Sequence, residues 1–353
     1  MERVDADQGD LQCPNCAGQC RYSPVAQGLQ CTMCGAVHSL DTADDHLAAA
    51  EFPYDVDLPD AEPPLPQVKD LSDTRAHQCL TCGGEVLFTG PALSEHCPYC
   101  DGAMVLSDQD SGYQTKALIP FKADQDFAQR QALDWVAGRL AAPGDLNVVV
   151  SQARVAGLYA PFWTFDSTEA VEYWAKHTTG SGDNRRTRSL SGHMRIHFDD
   201  VLMPASPHVT PLIRDGILHE FNPSDLRPYR AGYLAGFAAE RHHQTVDEGL
   251  RANGADKTLL MRNRIKQHIN KSGVHSIRYQ TDITGIHYRR ILLPVWILHY
   301  TYGGTPMKVV VSGIDGRTFG ERPFSKWKIA GYSAALAAMT IAFGIAWGAG
   351  GLL

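Results

Sequence analysis

The sequence lacks the features that place a chain in the commonest functional classes. It contains no GxSxG, HExxH, P-loop or helix-opening GxGxxG motif, so its residues indicate no familiar catalytic site. It has no excess of positive charge, because 32 Lys and Arg stand against 39 Asp and Glu, whereas nucleic-acid binders neutralise phosphates with basic residues. The first residues, MERVDADQGDLQC, have no basic region and no apolar run. We therefore expect no signal peptide there and a first folded unit in the cytoplasm.

The negative charge comes from one segment. Residues 41–74 hold ten acidic residues and one basic residue, a balance of −9, which leaves the rest of the chain near +2 when subtracted from −7. This segment is rich in Pro and Asp and shows little hydrophobic periodicity. The length of 353 residues is enough for two or three folded units. We expect an acidic, Pro-rich linker over 41–74 that separates two of them.

Cysteine is plentiful, and eight of the nine cysteines form four CxxC pairs. Adding 66 to the residue numbers of the first two pairs gives the last two, so one module is present twice. Two CxxC turns joined by a hairpin bring four thiolates together, which is a structural zinc site. In a reducing compartment this reading is preferred to disulfides or redox chemistry. The predicted ligands of two structural Zn²⁺ ions are Cys13, Cys16, Cys31 and Cys34, then Cys79, Cys82, Cys97 and Cys100.

Four thiolates leave no open coordination position, so such a site folds a small domain and does not catalyse. We place zinc ribbon 1 at 11–40 and zinc ribbon 2 at 75–108. The ninth cysteine, Cys20, is expected to be a bystander, although a role as a competing ligand stays open. The nearby histidines are expected to be ordinary surface residues; they are His38, His77 and His96.

Residues 115–325 predict an α+β body with a mainly antiparallel sheet. The stretches EAVEYWAKH (169–177) and HMRIHFDD (193–200) alternate apolar and polar residues, which is typical of half-buried strands around a polar loop. The segment 289–321 predicts further strands around a Gly-Gly turn and an Asp-Gly turn. Helices are expected at 124–140 and over about 232–270, with an interruption near Gly254. Asp199 and Asp200 are expected to have a structural role, and the arginines at 185, 186 and 188 to lie in an exposed loop.

The last 25 residues, 329–353, contain no charged side chain. Residues 329–348 supply about the 20 residues that a helix needs to cross a hydrocarbon core of ~30 Å. Cations and an aromatic residue precede them, as expected at the cytoplasmic membrane interface. We predict a single-pass transmembrane tail anchor over 329–348, with a buried helix of a soluble domain as the alternative. The membrane-interface residues are Arg322, Lys326, Trp327 and Lys328.

The order of two zinc ribbons, an α+β body and a tail anchor resembles a family of bacterial membrane proteins, the TFIIB-type zinc-ribbon proteins. Some members carry labels such as primosomal protein N′-like or helicase-like. A helicase needs a nucleotide-binding loop, however, and this sequence contains none. Besides the second ribbon, the matching stretches are LIPFKAD (118–124), GLYAPFWTFDS (157–167), FDDVLMPAS (198–206), LRPYRAGYLAGFAAE (226–240), RRILLPVWILHY (289–300) and VSGIDGRTFGERPFSKWKI (311–329).

The resemblance implies a membrane-bound docking platform in the bacterial cytoplasmic (inner) membrane. Some family members look like partners of flotillin-type (SPFH) proteins and of phage-shock protein A in envelope-stress systems. No site residues beyond the eight cysteines carry over from the family, and no catalytic residues are predicted. An oligomer of this chain stays open.

The residues and the resemblance together predict a non-enzymatic, membrane-anchored zinc-ribbon adaptor or scaffold that recruits cytoplasmic protein partners to the membrane. The alternative is a membrane-tethered nucleic-acid-binding protein that uses the ribbons or the basic clusters at 185–195 and 257–271. Few basic residues lie around the ribbons, chiefly Arg21 and Arg75, which favours the adaptor. An enzyme whose site is assembled within the α+β body is the third hypothesis.

Overall fold

The structure is a computed structural model that describes residues 11–40, 52–54, 74–89, 96–106, 113, 115–210, 212–214 and 222–350. It confirms the predicted α+β class with mainly antiparallel sheets. The strands are β1 Cys20–Ser23, β2 Gly28–Cys31, β3 Val37–His38, β4 Phe52–Tyr54, β5 Thr74–Cys79, β6 Glu85–Thr89, β7 Met104–Leu106, β8 Ala117–Leu118, β9 Arg154–Thr179, β10 Arg186–Pro204, β11 Arg227–Pro228, β12 Ala238–Ala239, β13 Val274–Tyr302, β14 Thr305–Ser312 and β15 Thr318–Gly320. The α-helices are α1 Gln125–Ala137, α2 Leu146–Ser151, α3 Val246–Ala252, α4 Gly254–Ile269 and α5 Lys326–Gly350.

Two sheets contain the described strands. A small sheet has the order β1-β2-β3, and a twelve-stranded sheet has the path β11-β8-β13-β9-β12-β6-β5-β7. Off this path, β10 pairs with β9, β14 and β4 pair with β13, and β15 pairs with β14. The turn from β13 to β14 is the predicted Gly-Gly turn, where Gly303 and Gly304 both have positive φ, as a tight hairpin requires.

Strand β13 is buried on both faces along its second half, which explains its near-continuous apolar sequence. Leu292, Trp296 and Leu298 pack into one core together with α1, α2 and ribbon 1. The alternating residues Ile291 and Ile297 pack into a second core, with ribbon 2. Ribbon 1 therefore contributes to one core, whereas ribbon 2 contributes to both, with Ala76 and Leu87 in the first core and Val86 and Phe88 in the second.

The first half of β13 forms a long projection with its neighbours, which we call the arm (168–198 and 254–286). In it, β9 lies between β10 and β13, and α4 covers one face of this three-stranded sheet. Met261 and Ile265 of α4 pack on Val171, Tyr173 and the residues around them. At about 3.3 Å per residue, the 20 residues from Arg278 to Leu298 span ~65 Å.

Three sequence expectations need correction. Arg186 and Arg188, expected in a loop, belong to strand β10 and pair with the end of β9, although both stay exposed. The helical pattern over 232–270 begins too early: Ala231–Leu234 is a 3₁₀ turn and Ala238–Ala239 is strand β12, so helix starts only at α3. The apolar pattern misled because nearly every residue of 231–240 is buried. This segment lies between the two cores as an apolar stretch and not as an amphipathic helix. Within the predicted linker 41–74, Phe52–Tyr54 forms strand β4 and pairs with Ile286 to Tyr288 at the base of the arm. The other residues of 41–73 lie outside the described residues.

Candidate metal centres

The four CxxC turns share one backbone geometry. The residue after each second cysteine donates its N–H to the carbonyl of the first cysteine, at 2.7–3.1 Å. Each first cysteine in turn donates its own N–H to the carbonyl five residues ahead, at 2.7–2.9 Å. The residue that closes each turn has a left-handed φ, between 56° and 76°; these residues are Ala17, Gly35, Gly83 and Asp101. The sequence spacing therefore encodes four copies of one turn.

The offset of 66 residues is also present in the strand register. The pair Gln12–Gln19 in ribbon 1 corresponds to Gln78–Glu85 in ribbon 2. The pair Gln30–Val37 corresponds in the same way to His96–Ala103. The chain thus contains one ribbon fold twice.

The sulfur atoms have the spacing of a tetrahedral metal site. In ribbon 1 the Sγ atoms of Cys13 and Cys34 lie 3.7 Å apart, and those of Cys16 and Cys31 lie 3.5 Å apart. In ribbon 2 the corresponding distances are 3.5 Å and 3.8 Å. Zn–S bonds of ~2.3 Å in a tetrahedron place the sulfurs about 3.8 Å apart, whereas a disulfide needs ~2.05 Å. Both sets of four cysteines could hold a metal ion, and all the cysteines are free thiols.

The backbone around the cysteines favours the thiolate, which is the form that binds metal. The backbone N–H of Cys34 is the largest influence on Cys31, and it helps to lower the pKa of that thiol to about 6. At Cys79 burial opposes ionisation, but hydrogen bonds from backbone N–H groups outweigh it and lower the pKa to about 7. Each cluster therefore contains a thiol with a lowered pKa, whereas burial raises the pKa of Cys82 to about 11 and also raises that of Cys97.

Cys20 and His38 lie closer to the metal cluster of ribbon 1 than the sequence suggested. Nε2 of His38 is 3.5 Å from Sγ of Cys13, and Cys13, Cys20 and His38 form a further group that could hold a metal. Cys20 is buried, and this burial raises its pKa to about 12. His38 is only half-buried. The four-cysteine set thus has a protonated thiol and an imidazole beside it, a proximity that CxxC spacing does not encode.

Ribbon 1 is attached to the body by side chains and a few hydrogen bonds. Tyr22 donates its N–H to the carbonyl of Ala235 at 2.9 Å, and its ring lies 5.4 Å from that of Tyr233. Gln27 Nε2 donates to the carbonyl of Phe121 at 2.8 Å. Ribbon 1 keeps its own sheet, so this attachment is an interface between two units.

Ribbon 2 is continuous with the body sheet. Its strand β6 pairs with β12, and β12 pairs with β9. The second cysteine turn of ribbon 2 also accepts hydrogen bonds from the body: Arg154 reaches the carbonyl of Cys97 at 3.2 Å, and His299 contacts that of Pro98 at 2.7 Å. Folding of ribbon 2 and of the body should therefore be coupled.

A buried carboxyl group connects ribbon 2 with the body. Glu240 is fully buried and accepts hydrogen bonds from the hydroxyls of Tyr99 and Ser206, the latter at 2.6 Å. Burial is the main cause that raises the pKa of Glu240 to about 7. Tyr99 lies between the two predicted ligands Cys97 and Cys100, so this network joins the second cysteine turn of ribbon 2 to β12.

The apolar C-terminal helix α5 is long enough to cross a membrane by its length and composition, and none of its apolar window is buried in the structure. Its start is joined to the loop between α1 and α2. Lys328 Nζ donates to the carbonyl of Ala142 at 2.7 Å, and Tyr332 donates to that of Leu140 at 3.0 Å. Trp327 is 88% exposed, which suits an interface position.

Comparison with known proteins finds a bacterial relative. The chain is 25% identical over 346 residues to "Uncharacterized protein YdjG" of Bacillus subtilis (strain 168), a match that covers 93% of this chain and 94% of that protein. No protein-family model and no solved structure matches the chain. Because the match spans nearly all of both proteins, the similarity is not confined to the cysteine motifs.

Proposed function

We propose that the protein is a non-enzymatic, membrane-anchored adaptor that recruits cytoplasmic proteins to the bacterial inner membrane. Zn²⁺ folds the two ribbons, and α5 crosses the membrane once with the body in the cytoplasm. The observation that carries the proposal is that a fully exposed apolar helix continues directly from a body that contains two four-cysteine clusters. Four thiolates saturate each metal, which suits a structural and not a catalytic role.

Charge and aromatic residues around the start of α5 support this orientation. The Arg322 guanidinium lies 5.4 Å from the ring centroid of Trp135 and 5.8 Å from that of Phe324, which is 60% exposed. Lys326 and Lys328 begin the helix. Basic and aromatic residues at one end of a membrane span favour the cytoplasmic side and the headgroup region.

Exposed apolar residues at the cysteine turns are candidates for the docking contacts. Met33, between Cys31 and Cys34, is 80% exposed, and Leu80, between Cys79 and Cys82, is 70% exposed. A rigid, metal-closed turn can present such a side chain at little entropic cost on binding. The anchor confines the protein to the membrane surface and so raises its effective concentration there. Even a weak docking contact would therefore be occupied more often.

The resemblance to TFIIB-type zinc-ribbon membrane proteins suggests the kind of partner. Flotillin-type (SPFH) proteins or a phage-shock protein A-like protein would place the adaptor in an envelope-stress response. The relative from Bacillus subtilis is a bacterial protein, as this setting requires.

The test is crosslinking in cells, followed by affinity purification of the full chain from detergent-solubilised membranes, with mass spectrometry and zinc analysis. We expect a specific protein partner and two zinc ions per chain. The double variant Met33→Asp, Leu80→Asp should lose the partner but keep the zinc.

Val25→Asp is the matched control, because Val25 is 76% exposed on ribbon 1 but lies outside the cysteine turns. This variant should retain the partner. Recovery of the chain in the soluble fraction, or absence of any co-purified protein in the presence of crosslinker, would contradict the proposal.

A further inference from the structure

The arm presents an open sheet face with an exposed tryptophan at its centre. On β9, Val171 and Tyr173 point towards α4 and are buried, whereas Trp174 and Lys176 alternate to the other face and are exposed. Trp174 is 40% exposed. No described helix covers this face, since α4 packs on the opposite one. A large aromatic side chain therefore lies on a solvent-facing surface, about 65 Å along β13 from Leu298.

Cationic side chains surround this tryptophan on all three strands. Arg278 of β13 lies directly opposite Trp174 in the register, and Ser191 of β10 lies opposite it on the other side. Lys176 lies two residues further along β9, and Arg195 follows on β10. All of these residues are exposed. Two carboxylates belong to the same face: Glu172, which is partly exposed, and Asp282 of β13, which is exposed and lies opposite Ala170.

The charge at this end of the arm is far from that of the whole chain. Residues 172–197 and 262–282 hold ten Lys and Arg and three Asp and Glu, a balance of +7 against −7 for the full sequence. Three of these cations, Arg262, Arg264 and Lys266, belong to α4 on the opposite face. The fold produces this concentration, because it pairs β10 and β13 with β9 and packs α4 on them. The basic clusters at 185–195 and 257–271, which are far apart in sequence, become neighbours in this way.

We propose that the open face of the arm binds single-stranded nucleic acid. An exposed aromatic ring offers a stacking platform for an unpaired base, and the flanking Arg278, Lys176 and Arg195 neutralise phosphates. Hydroxyl groups such as that of Ser191 can donate to phosphate or sugar oxygens. The bases of a duplex are already stacked on each other, so they are not free to stack on Trp174. An acidic peptide would form ion pairs with the cations but would not need the aromatic ring. The combination of ring and cations thus favours a single strand.

This inference is independent of the adaptor function, which uses the ribbons and α5. Of the two locations that the sequence left open for nucleic-acid binding, the ribbons and the basic clusters at 185–195 and 257–271, it favours the arm, which contains both clusters. The salt dependence expected for such binding is a slope of about −0.7 in log K per neutralised phosphate.

The test uses the zinc-loaded full chain in nanodiscs of neutral phosphatidylcholine and fluorescence anisotropy with labelled 20-nucleotide single strands of DNA and RNA. The same strand as a duplex, poly-glutamate, and vesicles of phosphatidylcholine and phosphatidylglycerol serve as competitors. We expect the single strand to bind most tightly, with an affinity that falls as salt rises. Equal or better competition by the duplex, poly-glutamate or anionic vesicles would overturn the assignment, as would absence of binding at low salt.

Variants distinguish the open face from charge alone. Trp174→Ala should weaken binding about tenfold, and Trp174→Phe should restore most of it, because stacking on an aromatic ring contributes about 1–3 kcal/mol per base. Arg278→Glu should reduce both the affinity and the salt slope. Arg262→Glu is the matched control, with the same charge change on the exposed side of α4. If Arg262→Glu weakens binding as much as Arg278→Glu, or if Trp174→Ala has no effect, the open face is not the site.

Discussion

The two zinc ribbons are copies of one module, yet they differ in how they join the rest of the molecule. Their cysteine turns, sulfur spacings and strand registers repeat with an offset of 66 residues. Ribbon 1 keeps a separate three-stranded sheet and contacts the body through side chains such as Tyr22. Ribbon 2 extends the body sheet through β6 and β12. The same four-cysteine cluster can thus belong either to an attached unit or to part of the central fold.

The difference lies outside the motif. The residues that attach ribbon 1 are an aromatic ring and an amide at the β1–β2 hairpin, Tyr22 and Gln27. At ribbon 2 the hairpin strand itself pairs with the body, and Tyr99 contributes a buried hydroxyl inside the cysteine turn. Loss of metal should consequently have local effects at ribbon 1 and global effects at ribbon 2.

The largest effect is expected from removal of one ligand in each ribbon. Cys97→Ser should lose one zinc and destabilise the whole body by more than about 4 kcal/mol, because ribbon 2 is part of the central sheet. Cys31→Ser should also lose one zinc but leave the unfolding transition of the body largely in place. Zinc content by mass spectrometry and thermal unfolding by circular dichroism check both variants. Equal destabilisation by the two substitutions would show that ribbon 1 is as integral as ribbon 2.

The next effect concerns the side-chain attachment of ribbon 1. Tyr22 is buried against Tyr233 and Phe237. Tyr22→Ala should therefore cost about 3 kcal/mol of packing and loosen ribbon 1 without loss of its zinc. Hydrogen exchange should increase in β1 and β2 and at Ala235, while the four cysteine turns stay protected. Val25→Ala, at an exposed site in the same hairpin, should change nothing; a change as large as that of Tyr22→Ala would speak against a local interface.

A pH-dependent effect should distinguish ribbon 2. Burial raises the pKa of Glu240 from 4.5 to about 7, so the folded state holds its proton more tightly than the unfolded state. Protonated Glu240 therefore contributes up to roughly 3 kcal/mol to the free energy of unfolding. This contribution is fully present below about pH 4.5 and is lost as the pH rises through about 7. Glu240→Gln cannot ionise, so its stability relative to wild type should increase from pH 5.5 to pH 8, measured by thermal unfolding.

Glu248→Gln provides the control for this trend. Hydrogen bonds from the backbone and hydroxyl of Thr245 lower the pKa of Glu248 at the start of α3. Its carboxylate therefore favours folding at higher pH, and its replacement should not produce the rising trend. A relative stability of Glu240→Gln that stays constant over this pH range would mean that the carboxyl is not proton-linked to folding.

The two four-cysteine clusters and the fold class could be predicted because they depend on local patterns. CxxC spacing defines the cysteine turns, and alternation such as that around Val171 and Ile196 defines paired strands. The merger of ribbon 2 with the body could not be predicted, because β12 is a strand of only two residues with no periodicity to detect. The assembly of the arm could not be predicted either. Its strands around 169–177 and 193–200 and the basic clusters at 185–195 and 257–271 are visible in the sequence, but they meet only through tertiary pairing. The predicted domain limits, adaptor role and partners stay predictions.

The smallest effect tests the cysteine turns themselves. The position after the second cysteine is left-handed in all four turns, and it is Gly at 35 and 83 but Ala at 17 and Asp at 101. A Cβ atom costs roughly 1 kcal/mol in this conformation, so Ala17→Gly should stabilise ribbon 1 by about that amount and slow zinc removal by a chelator. Asp101→Gly should gain less, because it removes the acceptor of a 2.5 Å hydrogen bond from Arg154, which also contacts the Cys97 carbonyl. Equal gains at the two positions would mean that Asp101 contributes nothing to the connection between ribbon 2 and β9, and would remove one of the differences between the two copies.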